Sequence, residues 1–298
     1  MKRKNKLRVL VLGGSGFVGR NIIEKLSSKY TLLIPTHTEL DLIDEQAVKK
    51  HFTTNKIDVV IYSVNIGGKR IDPDSSATLI TNLRMFFNVV NCRDYFKKMI
   101  FLGSGAEYDK SKSIVKIKED SFGNTIPQDE YGFYKYICSK YIEKSDKIIC
   151  LRLFGLFGKY EDYRIRFISN VICKSLFNIP ITINQNVYFD YVYIDDFIKI
   201  LEYFIDKKVK HKFYNIGSGN RIDLLSLAKK IVTTSSKQQS IKIKKRGLGN
   251  EYTCDNNRLK QELPNLSFTT FAQSLKELYE YYCAHKKLIN KESLLKNY

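Results

Sequence analysis

A phenol and an ammonium one helical turn apart form the most chemically suggestive pair in this 298-residue chain. Tyr131 and Lys135 lie four positions apart in the segment DEYGFYKYICSK, and residues at that separation share one face of a helix. A phenol has a reference pKa near ~10, too high for ready proton exchange at neutral pH. A neighbouring cation favours the phenolate. The expected chemistry is therefore proton transfer to or from a hydroxyl or carbonyl oxygen. Tyr136 and Lys140 repeat the spacing five positions on, about 140° further round the helix at ~100° per residue. Only one of the two pairs can face a given site. Upstream, FLGSGAEY reads as a strand ending at Ser104. A hydroxyl at the carboxyl end of a parallel strand points into the crevice where ligands bind, so Ser104 is expected to hydrogen-bond the reacting oxygen.

These side chains need a frame, and the first half of the chain supplies one by alternating apolar runs with helical spacing. Leu7 to Gly14 is a strand without polar alternation, as expected where helices cover both faces. Gly16 to Ser27 has helical spacing, Thr31 to Pro35 is a second strand, and EQAVKKHF is a helix. Lys56 to Val64 is a further strand, followed by a helix around Ser75 to Asp94, the strand ending at Ser104, a helix after Tyr131, and a strand from Lys147 to Phe154. The repetition implies an α/β fold, a doubly wound parallel sheet of the Rossmann type with right-handed crossovers. Beyond Gly158 the pattern turns irregular. The expected division is a dinucleotide-binding domain over 1–158, joined by 188–206, and a smaller α/β substrate-binding lobe over 159–187 and 207–298. The final KKLINKESLLKNY reads as a solvated helical tail.

Between the first strand and first helix stands GGSGFVG. In that context Gly13 permits the tight turn, Gly16 a close approach to pyrophosphate, and Gly19 close packing of helix on sheet. The helix N-terminus, with Ser15, Phe17 and Val18, then offers free N–H groups to phosphates. A nicotinamide dinucleotide is the expected cofactor, and the positive charge of its oxidised ring adds to that of Lys135 in favouring the phenolate. Tyr131 would exchange the proton while hydride passes to or from the ring, with Lys135 also holding the nicotinamide ribose. Ser63, Val64 and Asn82 are further expected contacts. After the second strand, an acidic residue would bind the adenosine 2′-hydroxyl. Here Pro35-Thr36-His37-Thr38 carries no carboxylate before Glu39, which favours NADP(H) over NAD(H), with Thr36, His37 and Thr38 towards the phosphate and Asp41 and Leu42 at the adenine.

Composition narrows the alternatives. The net charge of +19 comes from 50 Lys and Arg against 31 acidic residues. It suits attraction of anionic cofactors and substrates. Runs such as KIKKR (Lys242 to Arg246) are short and accompany no nucleic-acid motif, so they read as solvated faces and no nucleic-acid partner is expected. Six scattered cysteines without a CxxC pair argue against a disulfide framework or a zinc site. Four histidines without close pairing lead to no expected metal. The basic, apolar N-terminus breaks at its glycines and reads as a strand and turn, not an export signal. No apolar run reaches the ~18 residues of a spanning helix. A cytoplasmic protein without an integral membrane segment is expected.

Together these segments resemble the extended short-chain dehydrogenase/reductases, the NAD-dependent epimerase/dehydratase family, over nearly the whole chain. GGSGFVG looks like the family's GxxGxxG loop, and SVNIGG (Ser63 to Gly68) occupies the place of its post-strand alanine segment. GSGAEY carries its Ser/Thr four residues before a Tyr, here Ser104 and Tyr108. Tyr131-Gly132 through Lys135 looks like YGxSK and selects that pair over Tyr136 and Lys140. RLFGLFG (Arg152 to Gly158), FDYVYIDD (Phe189 to Asp196) and YNIGSG (Tyr214 to Gly219) match later segments. Within the family the chain is most similar to GDP-fucose synthase-like 4-keto-6-deoxy-sugar reductases. The resemblance implies catalytic Ser104, Tyr131 and Lys135, a nucleotide-sugar substrate touching Ser104, Gly105, Ala106 and Gly155, and a homodimer.

Departures from the pattern refine this. The Cys that GDP-fucose synthases use for epimerisation is Ala106, and no histidine occurs between His51 and His211, so ketone reduction is expected without carbon-acid epimerisation. The Asp-Glu pair of dehydratases is replaced by Gly105 and Ala106. The family's phosphate-binding arginine is Phe189 and its Asn is Gly155, leaving Arg246, Arg164 or Arg166 to bind the diphosphate as planar forks. The expected activity is NADPH-dependent reduction of a nucleotide-linked 4-keto-6-deoxyhexose. The same trio would serve an NAD-dependent 4-epimerase. A non-catalytic NAD(P)-sensing regulator is the alternative from another class, against which stands a proton relay that a sensor does not need.

Overall fold

The computed structural model describes residues 6–68, 74–235 and 238–295. Its first half alternates strand and helix: β1 (Arg8–Leu12), α1 (Phe17–Leu26), β2 (Thr31–Leu33), α2 (Glu45–Thr54), β3 (Val59–Tyr62), α3 (Ser76–Val90) and β4 (Lys98–Ser104). After β5 (Ile114–Ile117) come α4 (Glu130–Ile142), β6 (Ile148–Leu153), β7 (Gly155–Phe157), α5 (Phe167–Leu176) and β8 (Ile181–Asn186). The chain continues through β9 (Tyr188–Tyr193), α6 (Ile194–Asp206), β10 (Phe213–Ile216), β11 (Arg221–Asp223) and α7 (Leu224–Thr234). It ends with β12 (Ile241–Leu248), β13 (Tyr252–Cys254), α8 (Asn257–Glu262), α9 (Phe271–Ala284) and α10 (Lys291–Leu295).

Six strands form one sheet in the order β10-β6-β4-β3-β1-β2, and every pairing in it is parallel. Successive side chains of a strand point to opposite faces, so β1 feeds two cores at once. Val9 and Val11 pack with α1, α5 and α6 residues, while Leu10 and Leu12 pack with α2, α3 and α4 residues. Burial on both faces accounts for the unbroken apolar run. Strand order reverses between β1 and β3, and ligand crevices open at the carboxyl ends of strands at such a point. Local signals start the helices that frame it. Asp44 caps α2 by accepting from the N–H groups of Gln46 and Ala47, and Asp129 caps α4 through Gly132 N–H.

A second sheet, β11-β9-β13-β5, with β7 paired to β9, stands beside the first, and β12 pairs with β8 separately. Three segments lie differently from the expected division. Phe213–Ile216, placed in the smaller lobe by sequence, pairs with β6 in the main sheet. Ile114–Ile117 leaves the first half to join the second sheet through β13. Within 188–206, β9 belongs to the second sheet while α6 packs on α1. The end of the chain as far as Leu295 is mostly exposed and partly helical, as expected of a solvated tail, but it is anchored: Leu294 is fully buried and Ile289 nearly so, because both enter the core with α5 residues. Residues 296–298 lie outside the described residues.

Candidate active site

A cavity of about 1140 Å³ runs from the glycine turn, past the carboxyl ends of β4 and β6, to β8 and β12. At its first end Gly13 has φ +89°, and a Cβ there would stand 3.0 Å from the Ser63 backbone. A Cβ on Gly19 would fall 2.2 Å from the Gly13 carbonyl oxygen, so α1 packs directly on the turn. Gly16 lies at the N-terminus of α1, which has no side-chain cap and no acidic residue in its first turn. Phe17, Val18 and Gly19 line the cavity. Free N–H groups and the positive helix end there suit a diphosphate, and the glycine leaves that end open: a Cβ on Gly16 would meet only the Gly13 carbonyl oxygen, at 3.4 Å. The residues fit a dinucleotide cofactor.

The other expected cofactor contacts divide. Ser63 lines the cavity and donates to the Leu12 carbonyl at 2.6 Å. Val64 packs against the second core. Asn82 works behind the wall: it accepts from Ile66 N–H at 2.9 Å and donates to the Ile66 carbonyl at 2.8 Å, clamping the loop after β3. Ser15 is exposed and outside the lining. Past β2, Thr36 donates its N–H (2.7 Å) and hydroxyl (2.9 Å) to Glu39, and those bonds hold the Glu39 carboxyl below its ordinary range. His37 is exposed and Asp41 accepts from Ile43 N–H. Leu42 is buried in the second core, so it belongs to packing and not to an open adenine site.

Ser104, Tyr131 and Lys135 meet in the middle of the cavity. Ser104 ends β4 and opens a short helical turn as a capping box: its hydroxyl accepts from Ala106 N–H at 3.1 Å, and Glu107 accepts from Ser104 N–H at 2.9 Å. Glu107 is itself wholly buried, taking Ser139 Oγ at 2.7 Å and Arg152 Nε at 2.6 Å. Tyr131, in the first turn of α4, lies against Gly68, where a Cβ would meet its ring at 2.9 Å. Its side chain lines the same cavity as Ser104. Lys135 is 2% exposed; it donates to the Leu102 carbonyl at 2.8 Å and stands 5.9 Å from the Tyr131 ring centre.

Burial dominates the electrostatics of the Tyr131 and Lys135 side chains. Burial pushes the Tyr131 pKa up, against a smaller downward pull from Ser104 and Arg166. Burial also lowers Lys135 to about 8. In the cofactor-free chain desolvation thus favours the protonated phenol. Tyr136 and Lys140 are elsewhere: Lys140 pairs with Glu143 at 3.1 Å, and neither residue lines the cavity.

Substrate positions are similarly mixed. Ala106, Gly155, Arg164 and Arg166 line the cavity. Arg164 also forks onto Asp162 with two 2.7 Å bonds. Gly105 does not line it; a Cβ there would strike Tyr252 and Phe154 at 2.6 and 2.8 Å. Arg246 is exposed on β12 and outside the lining, whereas Lys244 of the same strand is within it. Lys174, only 5% exposed at the end of α5, lies close enough that burial and then Lys244 lower its pKa. Among the described residues no carboxylate pairs with Lys174. Two like charges thus line a cavity whose carboxylates are Glu161, raised to about 7 by burial, and Glu251, paired with Arg221 at 2.8 Å, an arrangement suited to an anion. Sequence reasoning missed Lys174, which had only helical spacing, and Lys244, which sat inside a run read as solvated. It also missed Tyr252, whose phenol stands 3.4 Å from Ser104 Oγ, since nothing links positions 148 residues apart.

Comparison with known proteins agrees with this architecture. The NAD dependent epimerase/dehydratase family matches residues 9–217. The ADP-L-glycero-D-manno-heptose-6-epimerase of Brachyspira hyodysenteriae is 23% identical over 258 residues, 74% of this chain and 79% of that protein. The dTDP-4-dehydro-6-deoxyglucose reductase of Escherichia coli is 26% identical, covering 77% and 81% of the two chains. A GDP-L-fucose synthetase from Naegleria fowleri bound to NADP superposes with a TM-score of 0.82 at 17% identity, over 98% of both chains.

Proposed function

The chain belongs to the NAD dependent epimerase/dehydratase family, and on that premise we propose that it reduces the ketone of a nucleotide-linked 4-keto-6-deoxyhexose. The observation that carries the reading is one cavity lined by Ser104, Tyr131 and Lys135 together with Lys174 and Lys244, which no carboxylate pairs among the described residues. A sugar ketone placed at the trio would leave its diphosphate to the lysines. The names of the similar proteins, a heptose epimerase, a deoxyglucose reductase and a fucose synthetase, are all of enzymes for nucleotide-linked sugars.

Gly13, Gly16 and Gly19 with the first N–H groups of α1 would hold the cofactor diphosphate. When bound, the nicotinamide supplies the hydride. Tyr131, kept protonated by burial, gives its proton to the oxygen as the carbonyl becomes an alcohol. Ser104 donates a hydrogen bond to that oxygen, and the Lys135 ammonium opposes the negative charge left on the phenol. Ala106 is apolar where a GDP-fucose synthase-like enzyme would carry its Cys, so the carbons beside the ketone keep their configuration. Between the two dinucleotides, Thr36 gives both its donors to Glu39. A carboxylate beside the end of β2 suits the 2′-hydroxyl of NAD(H) better than the 2′-phosphate of NADP(H), which reverses the preference expected from sequence.

The test is incubation with 4-keto-6-deoxy nucleotide sugars and NADH or NADPH, following loss of the reduced cofactor's absorbance and, by mass spectrometry, deuterium uptake from solvent. Consumption without deuterium at the carbons flanking the ketone is expected. No consumption with any such sugar overturns the reading. Interconversion of sugars without net consumption replaces it with the 4-epimerase.

A further inference from the structure

The Tyr252 phenol comes from the second sheet to a hydroxyl on the first, and it carries no sequence motif. β13 places it there between β5 and β9. Its ring is held by Phe154 at 4.9 Å and Phe189 at 5.9 Å between centroids, so the hydroxyl has little freedom. It stands 3.4 Å from Ser104 Oγ. That is long for O–H···O, and such contacts tighten when the substrate oxygen arrives.

Ser104 has one proton to give and two lone pairs to fill. Ala106 N–H occupies the first lone pair at 3.1 Å. The Tyr131 phenol lines the same cavity and feels the Ser104 hydroxyl, and Tyr252 is a further neighbour at 3.4 Å. If Tyr131 donated into the remaining lone pair, its proton would be spent on Ser104 and turned from the substrate. We propose that Tyr252 is a positioning residue: it donates into the second lone pair of Ser104, directing the serine proton towards the reacting oxygen and denying Tyr131 a competing acceptor. This rests on the reading of Ser104 and Tyr131 as the proton-handling pair. For that role Tyr252 must remain a donor while Tyr131 titrates. Burial raises its pKa well above the ordinary phenol range, and a charged Tyr131 would raise it further. Of the two phenols, Tyr252 keeps its proton.

The perturbation is Tyr252→Phe, which keeps the ring between Phe154 and Phe189 and removes only the hydroxyl. Neutral Tyr131 then gains Ser104 as an acceptor, which stabilises its protonated form. The Tyr131 ionisation is expected to move up by roughly half to one pH unit, and turnover to fall about tenfold with KM changed less than twofold. Phenolate absorbance of the whole protein, taken as the difference from a Tyr131→Phe partner in each background, reads the ionisation without any substrate. The same change is made in a Ser104→Ala background, where the shift should vanish because the lone pair is gone. An unmoved Tyr131 ionisation in Tyr252→Phe overturns the proposal, as does an equal shift in Ser104→Ala. Because this readout needs no turnover, failure to reduce any keto sugar would remove the proposed activity and leave the positioning role standing or falling on its own result.

Discussion

Replacing Lys135 by Met removes the charge while keeping an unbranched side chain, and the structure sets both the size and the pH dependence of the effect. The ammonium is 2% exposed, and burial brings its pKa from 10.5 to about 8. Keeping it charged at pH 7 therefore costs the folded state roughly 3 kcal/mol, at ~1.4 kcal/mol per tenfold. Against this the Met variant loses the bond to the Leu102 carbonyl and the contacts with the Phe101 and Tyr134 rings at 4.5 and 4.9 Å, together about 1–2 kcal/mol. The expected net effect is stabilisation by roughly 1–2 kcal/mol, a rise in Tm of about 2–4 °C. A lysine with a lowered folded-state pKa imposes its full cost below about pH 8, and the cost disappears as pH rises through 10.5. The variant's advantage should thus be largest at pH 7 and absent at pH 10.5. Urea unfolding of cofactor-free protein at both pH values, followed by circular dichroism, measures it. A Met variant that is weaker than the parent at pH 7, or an advantage independent of pH, would refute the reasoning. Reductase turnover should be lost throughout.

Other perturbations separate structural from functional charge. Glu107→Gln leaves the wholly buried Arg152 without its carboxylate, and the loss of one member of a buried pair should cost roughly 3–5 kcal/mol, read as a lower urea midpoint. Lys174→Met relieves the repulsion with Lys244, so stability should be unchanged or higher while KM for the nucleotide sugar rises about tenfold or more; an unchanged KM would place the diphosphate elsewhere. Gly19→Ala drives a methyl into the Gly13 carbonyl, and dinucleotide binding measured by calorimetry should fall at least tenfold as the turn shifts. Glu39→Ala releases both donors of Thr36 and should move the NADPH-to-NADH preference about tenfold towards NADPH, read from the ratio of kcat/KM values.

The parallel sheet was legible because burial on both faces leaves unbroken apolar runs, and the glycine turn because its spacing falls between a strand and a helix. Ser104, Tyr131 and Lys135 were legible as local patterns: a strand end, and two side chains one turn apart. What escaped was non-local. Phe213–Ile216 is a short strand whose place beside β6 depends on a partner more than 50 residues earlier. Lys174 and Lys244 look like any surface lysines until α5 and β12 bring them to one cavity. Tyr252 and Arg246 lie six positions apart, yet only the former lines the cavity, because the chain leaves β12 beside β8 and enters a different sheet at β13. Leu294 reads as part of a polar tail, but its neighbours in space are core residues and not its neighbours in sequence.

The treatment of three buried cations gives the site its logic. Arg152 receives a carboxylate at 2.6 Å, a phenol at 2.9 Å, and the faces of Phe122 and Phe213 at 4.2 and 4.4 Å. The fold has answered that charge, and it serves the framework by fixing the Glu107 that holds Ser104. Lys135 receives a carbonyl and two ring faces, and its pKa falls; Lys174 receives another lysine. Compensation on this scale is available within the protein, as Arg152 demonstrates, whereas among the described residues no carboxylate pairs with Lys135 or Lys174, although Glu161 and Glu251 line the same cavity. An unanswered cation facing open space is destabilising until something negative arrives. The binding energy of a diphosphate or of a developing alkoxide is then largest at the points where the empty protein is least comfortable. Removing those charges should strengthen the fold and weaken the chemistry, whereas removing Glu107 should weaken both.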